Sequence, residues 1–315
     1  MIKTPVCDIV GIEHPIFQGG MAWISEAKLA AAVSNGGGLG IISAMNADAN
    51  YLRTQIHEAR KLTDRPIGVN IMLMSPFAAE VAKVVAEERV PVVTTGAGNP
   101  SKYMEEWLAA DIKVIPLVAS VAMAKLMTRA GAAAIIAEGG ESGGHVGDST
   151  TMSLLPQVCD VTDLPVIAAG GIADGRGVAA AFMLGAQGVQ LGTRFLVAEE
   201  CQVHQNYKNK ILKATDISTI ATGKRLGHPV RSIKTPFSKD YLKAEYDSNV
   251  SDAELEELGA GALRLAAVEG DSEKGCFLAG QIAGMVNKEQ PAAEMIKEIF
   301  EEAEAVLRSA HKWVK

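Results

Sequence analysis

Ala132-Ala133-Ala134-Ile135-Ile136-Ala137-Glu138-Gly139-Gly140-Glu141-Ser142-Gly143-Gly144-His145-Val146-Gly147 sets a short apolar run directly before a loop with five glycines and one histidine. Such a run, bounded by glycine, reads as a buried strand. Glycine serves where the backbone takes positive φ or lies close to a ligand, and an imidazole held there can meet something bound above it. Seven similar runs cover residues 15–20, 38–44, 66–73, 90–98, 113–120, 165–172 and 188–195. They recur about every 25 residues, the length of one strand, one helix and two loops. Helix-like patterns fill the gaps: residues 25–35 run from a Ser25 N-cap to Gly36, and 174–184 from an Asp174 N-cap to Gly185. Eight βα units predict an α/β fold of the (β/α)8 TIM-barrel type; a doubly wound open sheet is the alternative, and the regularity favours closure.

The 315 residues are 48% hydrophobic, enough for one large core with an addition. No apolar run reaches membrane-spanning length, and Met1-Ile2-Lys3 does not begin a signal peptide, so no membrane role is expected. The four cysteines are widely spaced without a metal-ligand pattern, which predicts no metal site and a reduced, cytoplasmic setting. After the eighth run the rhythm breaks. Residues 1–198 and 276–315 are expected to form the barrel, with helices over 276–287 and 291–312, and 199–275 a small inserted subdomain. Between Lys208 and Lys243 stand nine basic residues against Asp216 and Asp240, within a chain of formal net charge -7. That run is either a solvated face or a landing surface for an anionic partner. Nucleic acid is not expected, because no binding motif or aromatic stacking pattern accompanies it.

A barrel carries its ligand site at the C-terminal ends of the strands. Those ends read Gln18-Gly19-Gly20-Met21-Ala22-Trp23, Asn70-Ile71-Met72, Glu138 to His145, Gly170-Gly171 and Gln190-Leu191-Gly192-Thr193. The loops after strands seven and eight commonly bind phosphate through bare backbone N–H groups, which points to Gly171, Gly192 and Thr193. Tight turns alone would also explain the glycine pairs. There is no Walker A loop, no complete G-x-G-x-x-G and no nucleophile elbow. Among the strand segments lysine occurs only as Lys113, at the start of strand five, so a Schiff-base reading has no obvious nucleophile. What remains suits a flat conjugated cofactor that carries the chemistry itself.

Gln18-Gly19-Gly20-Met21, Gly37-Gly38-Leu39-Gly40, Glu138 with Gly143-Gly144-His145, Ala168 to Arg176 and Val189 to Phe195 resemble the nitronate monooxygenase and 2-nitropropane dioxygenase superfamily. Within it, Gly20-Met21-Ala22-Trp23, Val203 to Lys208, Gly227-His228-Pro229-Val230-Arg231, Gly261 to Arg264 and Glu269-Gly270-Asp271 with Lys274-Gly275 are similar to FMN-dependent enoyl-acyl-carrier-protein reductases. The resemblance runs over essentially the whole chain.

It implies FMN at the barrel mouth, with Gly20, Met21, Ala22, Asn70 and Glu138 near the ring or ribityl chain. Gly143 and Gly144 belong to the same cofactor site, and Gly170, Gly171, Gln190, Gly192 and Thr193 surround the phosphate. It further implies NADH or NADPH as cosubstrate, an acidic acyl carrier protein or a small thioester as partner, and a homodimer. A monovalent cation near the insertion is consistent with the family. His145 is the candidate catalytic proton donor, or a loop histidine that orders the glycines. The alternatives are oxidation of alkyl nitronates, where the same histidine acts as base, and a flavin-binding protein without turnover. Gly19-Gly20, where the monooxygenase branch often carries Ala-Pro, weighs against the nitronate reading.

Overall fold

The computed structural model describes residues 2–45 and 47–313. Chain order in the first half is α1 (Pro5–Val10), β1 (Ile16–Gln18), α2 (Ala27–Asn35), β2 (Gly40–Ser43), α3 (Ala49–Leu62), β3 (Ile67–Met72), α4 (Ala78–Glu87), β4 (Val92–Gly96), α5 (Ser101–Ala109), β5 (Lys113–Val118) and α6 (Val121–Arg129). There follow β6 (Ile135–Glu138), the two-residue β7 (Gly144–His145), α7 (Thr151–Cys159), β8 (Val166–Ala169), α8 (Gly175–Met183) and β9 (Gly188–Leu191). All strands but β7 lie in one parallel sheet, in the order β1-β9-β8-β6-β5-β4-β3-β2. The sheet closes at a bridge between Phe17 and Leu39, where Gln18 N donates to Leu39 O and Leu39 N to Ile16 O, each at 2.9 Å. The eight-unit TIM barrel is therefore the fold.

Side chains alternate along each strand, so every second one points into the barrel. Phe17, Leu39, Ile41, Val92, Ile115, Ile136 and Ile167 fill its interior, and Val6, Cys7 and Val10 of α1 join that cluster. Their neighbours Ile16, Ile42, Val93, Ile135 and Val166 face outward into the helices. Helix and strand approach closely only where glycine allows it. A Cβ on Gly40 would collide with the backbone of Ala30 in α2, and one on Gly175 with the backbone of the closing helix.

The remainder comprises a 3-10 turn (Thr193–Val197), α9 (Gln205–Leu212), β10 (Thr219–Thr222), β11 (Val230–Ile233), α10 (Pro236–Glu245), α11 (Asp252–Gly259), the short α12 (Ala262–Arg264) running into a π-helical turn (Leu265–Glu269), and α13 (Ala292–Ser309). The second sheet is not made by residues 199–275 alone: β7 of the barrel loop completes it, in the order β10-β11-β7.

Three expectations need correction. Ser25 is not the cap of α2, which begins after Glu26. Its hydroxyl instead accepts from Met21 N at 2.9 Å and Gln18 Nε2 at 2.8 Å, because buried Gln18 needs partners more than the helix end does. Residues 276–287 form no α-helix, only a 3-10 turn at Gln281–Met285, because this segment packs its backbone against the glycine loop. Lys208 is not part of any landing surface. It is 4% exposed, and its Nζ donates to Glu289 Oε1 at 2.6 Å and Ala198 O at 2.7 Å.

Candidate active site

Strand alternation decides which side chains meet at the mouth. Asn70, Glu138 and Gln190 each share parity with an interior position, so all three face the barrel axis. Thr94 Oγ1 donates to Asn70 Oδ1 at 2.9 Å, which fixes the amide with its N–H groups free to act. A Cβ on Gly20 would collide with the Asn70 side chain, and one on Gly19 would lie 3.3 Å from Gln190. One on Gly192 would lie 3.7 Å from Met21 Sδ. The ends of β1, β3 and β9 therefore interlock around Gly20, Met21, Asn70, Gln190 and Gly192. Ala22 is buried behind the turn that Met21 O closes by accepting from Ile24 N and Ser25 N. Trp23, in a left-handed backbone conformation at φ 64, is 40% exposed. Its ring lies 6.0 Å from the Arg264 guanidinium.

A second group gathers at β6, β8 and β9. Gly170 and Gly171 both have positive φ, 86 and 75. Thr151 Oγ1 donates to Gly170 O at 2.9 Å, and Thr151 N to the Glu141 carboxylate at 2.9 Å. Thr193 Oγ1 accepts from Gly280 N at 2.9 Å. Among the described residues no hydrogen bond takes up the N–H of Gly171 or of Thr193. Gly143 packs on the chain opposite, where its Cβ would stand 2.6 Å from Ala279 C. Gln281 N donates to Glu141 O at 2.9 Å, so the segment rejected as a helix clamps the loop.

Glu138 has no charged partner among the described residues, and burial pushes its carboxyl up to about 8, against the influence of the Ser142 hydroxyl. At neutral pH it is chiefly a neutral donor. His145, on β7 beside Gly144, is exposed at the rim. Desolvation first, and then the neighbouring His228, hold its imidazole below the ordinary histidine range. Sequence reasoning placed these groups but missed their supports: Ser25, Thr151, the 279–281 segment, and Arg231, whose guanidinium donates to Gly140 O. Arg231 had stood in view as one charge in a basic run and as the end of the Gly227-His228-Pro229-Val230-Arg231 motif, without a structural role. Among the described residues no group of three His, Cys, Asp or Glu could hold a metal ion, and all four cysteines are free thiols. No helix among them is long and apolar enough to cross a membrane.

Residues 3–88 and 76–302 match the Nitronate monooxygenase family. The chain belongs to that family. Its structure superposes on FabK from Thermotoga maritima with a TM-score of 0.97 and 49% identity, covering 100% of both chains. A probable nitronate monooxygenase of Staphylococcus aureus is 31% identical over 97% of this chain and 99% of its own. A (3aS,4S,5R,7aS)-5-hydroxy-7a-methyl-1-oxo-octahydro-1H-indene-4-carboxyl-CoA dehydrogenase of Rhodococcus jostii is 38% identical over 74% of this chain; the match spans 66% of that relative. For this nitronate monooxygenase family member the residues fit the FMN that the resemblance implies. Unbonded amides at Gly171 and Thr193 suit a phosphate. The inward amides of Asn70 and Gln190 and the neutral carboxyl of Glu138 suit the polar edge of a ring and its ribityl hydroxyls.

Proposed function

We propose that the protein reduces trans-2-enoyl thioesters, carried on an acyl carrier protein, with FMN as resident cofactor and NADH or NADPH as reductant. The full-length likeness to FabK carries this reading. The Rhodococcus relative, named for a carboxyl-CoA substrate, supports a thioester as the substrate class. When bound, FMN supplies the two-electron transfer from reduced nicotinamide to C3 of the enoyl group. Asn70, Glu138 and Gln190 orient the cofactor from inside the barrel, and the Gly170-Gly171 and Gly192-Thr193 turns hold its phosphate. His145 gives its proton to C2 and leaves as neutral imidazole, which completes the saturated thioester. Exposed basic side chains of the insertion, among them Lys213, Lys224, Lys234, Lys239 and Lys243, suit an acidic carrier.

A second reading, oxidation of alkyl nitronates, is favoured by the family match, with His145 as base. One anaerobic experiment separates the two. The flavin absorbance is followed on adding NADH or NADPH, then a 2-enoyl thioester. Prompt bleaching that the thioester reverses is the expected result. Flavin that neither nucleotide bleaches, but a nitronate does, would replace the first reading with the second.

A further inference from the structure

The loop that carries His145 contains five glycines within 138–147 and would by itself sample many conformations. It is held from outside. Strand β11 pairs with β7 so that Val230 stands opposite His145 and Arg231 opposite Gly144. Val146 N donates to Pro229 O at 3.0 Å. The Arg231 side chain then reaches back along the loop: Nη2 and Nε donate to Gly140 O at 3.0 and 3.3 Å. One residue of the insertion thus grips the loop twice, by its backbone at Gly144 and by its guanidinium at Gly140. The same strand also reaches the second clamp, since Ile233 N donates to Phe277 O at 2.8 Å and Ser232 bridges Leu278. Gln281, three residues beyond Leu278, holds Glu141 O.

We propose that Arg231 is a positioning residue, through which the inserted subdomain sets the placement of the His145 imidazole over the barrel mouth. This rests on the proton-donor reading of His145. The guanidinium touches no reacting atom. It is half-buried, and both of its bonds to Gly140 go to one carbonyl, so it fixes the loop's direction rather than its charge. A ligand that moves the subdomain would move the imidazole with it.

The test compares wild type, Arg231→Met and Arg231→Lys as flavin-loaded enzymes, by amide exchange and by the two half-reactions. In Arg231→Met the Val146 and Gln281 amides should exchange about tenfold faster, with the barrel strand amide of Ile136 unchanged. Flavin reduction by nicotinamide should stay within about twofold, while reoxidation by the enoyl thioester slows about 10- to 100-fold, as expected for a displaced reacting group. Arg231→Lys, which keeps one donor and perturbs the fold less, should fall between on both readouts. Unchanged loop exchange would overturn the proposal, as would faster exchange with normal enoyl reduction, or equal loss in both half-reactions. Wild-type enzyme that the enoyl thioester fails to reoxidise would instead remove the enoyl reading, and loop exchange would then decide the positioning role alone.

Discussion

Glu138 is a carboxyl whose proton is held to about pH 8 by burial, against an ordinary value of 4.5. Between those values the folded chain keeps a proton that the unfolded chain has lost, so stability falls as pH rises through that window. Glu138→Gln should flatten the dependence of melting temperature on pH between about 4.5 and 8 in flavin-free protein; an unaltered slope would mean that other groups cause it. His145 works in the opposite sense. Its imidazole titrates below 6.5, so the donor form is lost as pH climbs through that lowered value. Enoyl reduction should weaken with rising pH while flavin reduction does not. His145→Gln should slow the enoyl step by about 10²-fold or more. His228→Gln, by removing a like charge, should move the alkaline limb upward; a fixed limb would sever the link between the two rings. Glu138 and His145 were legible in the sequence, because a titratable group among glycines at a strand end has few structural uses. Lys208 and Arg231 were not. Their partners lie 81 and 91 positions away, and a charge count treats each lysine and arginine as solvated until packing shows otherwise.

Secondary elements were legible wherever burial on both faces leaves its mark, and the eight barrel strands fall within the eight apolar runs. Closure was legible too, from the count of eight regular units; what the apolar pattern left unmarked is that the seam is the bridge between Phe17 and Leu39, one residue before β2 begins. The Ser25 cap failed because a serine near a helix start can serve a helix or a neighbour, and buried Gln18 won it. Residues 276–287 have apolar spacing compatible with a helix, yet Ala279 and Gly280 must lie flat against Gly143. Glycine at such crossings makes a sharp prediction. In Gly175→Ala the new methyl would press on the backbone of Ala303 and Ile299, which cannot swing away as a side chain could. The substitution should cost about 1–3 kcal/mol in urea unfolding, despite alanine's better helix propensity. A neutral or stabilising result would mean that α8 and α13 slide apart easily.

At the scale of the whole molecule the charge reading divides in two. Lys213, Lys239 and Lys243 are exposed, and reversing all three to Glu should raise KM for carrier-linked substrate well above that for a small thioester. The difference should shrink at high salt, where such fields are screened. Lys208→Met should behave otherwise. It strips Glu289 of its ammonium partner and should cost about 2 kcal/mol of stability, with both substrates affected alike. Equal KM effects from the triple reversal would remove the carrier from the basic face. The shared sheet has a last consequence, for how such enzymes can be recombined. Because one of its three strands belongs to the barrel loop, the insertion is not a cassette with a clean border. A chimera that exchanges residues 199–275 between relatives would leave a foreign β11 facing a native β7. Swaps that carry residues 138–147 and 276–281 along with the insertion should yield folded hybrids where the simple excision does not, so the unit of inheritance here is discontinuous in the chain.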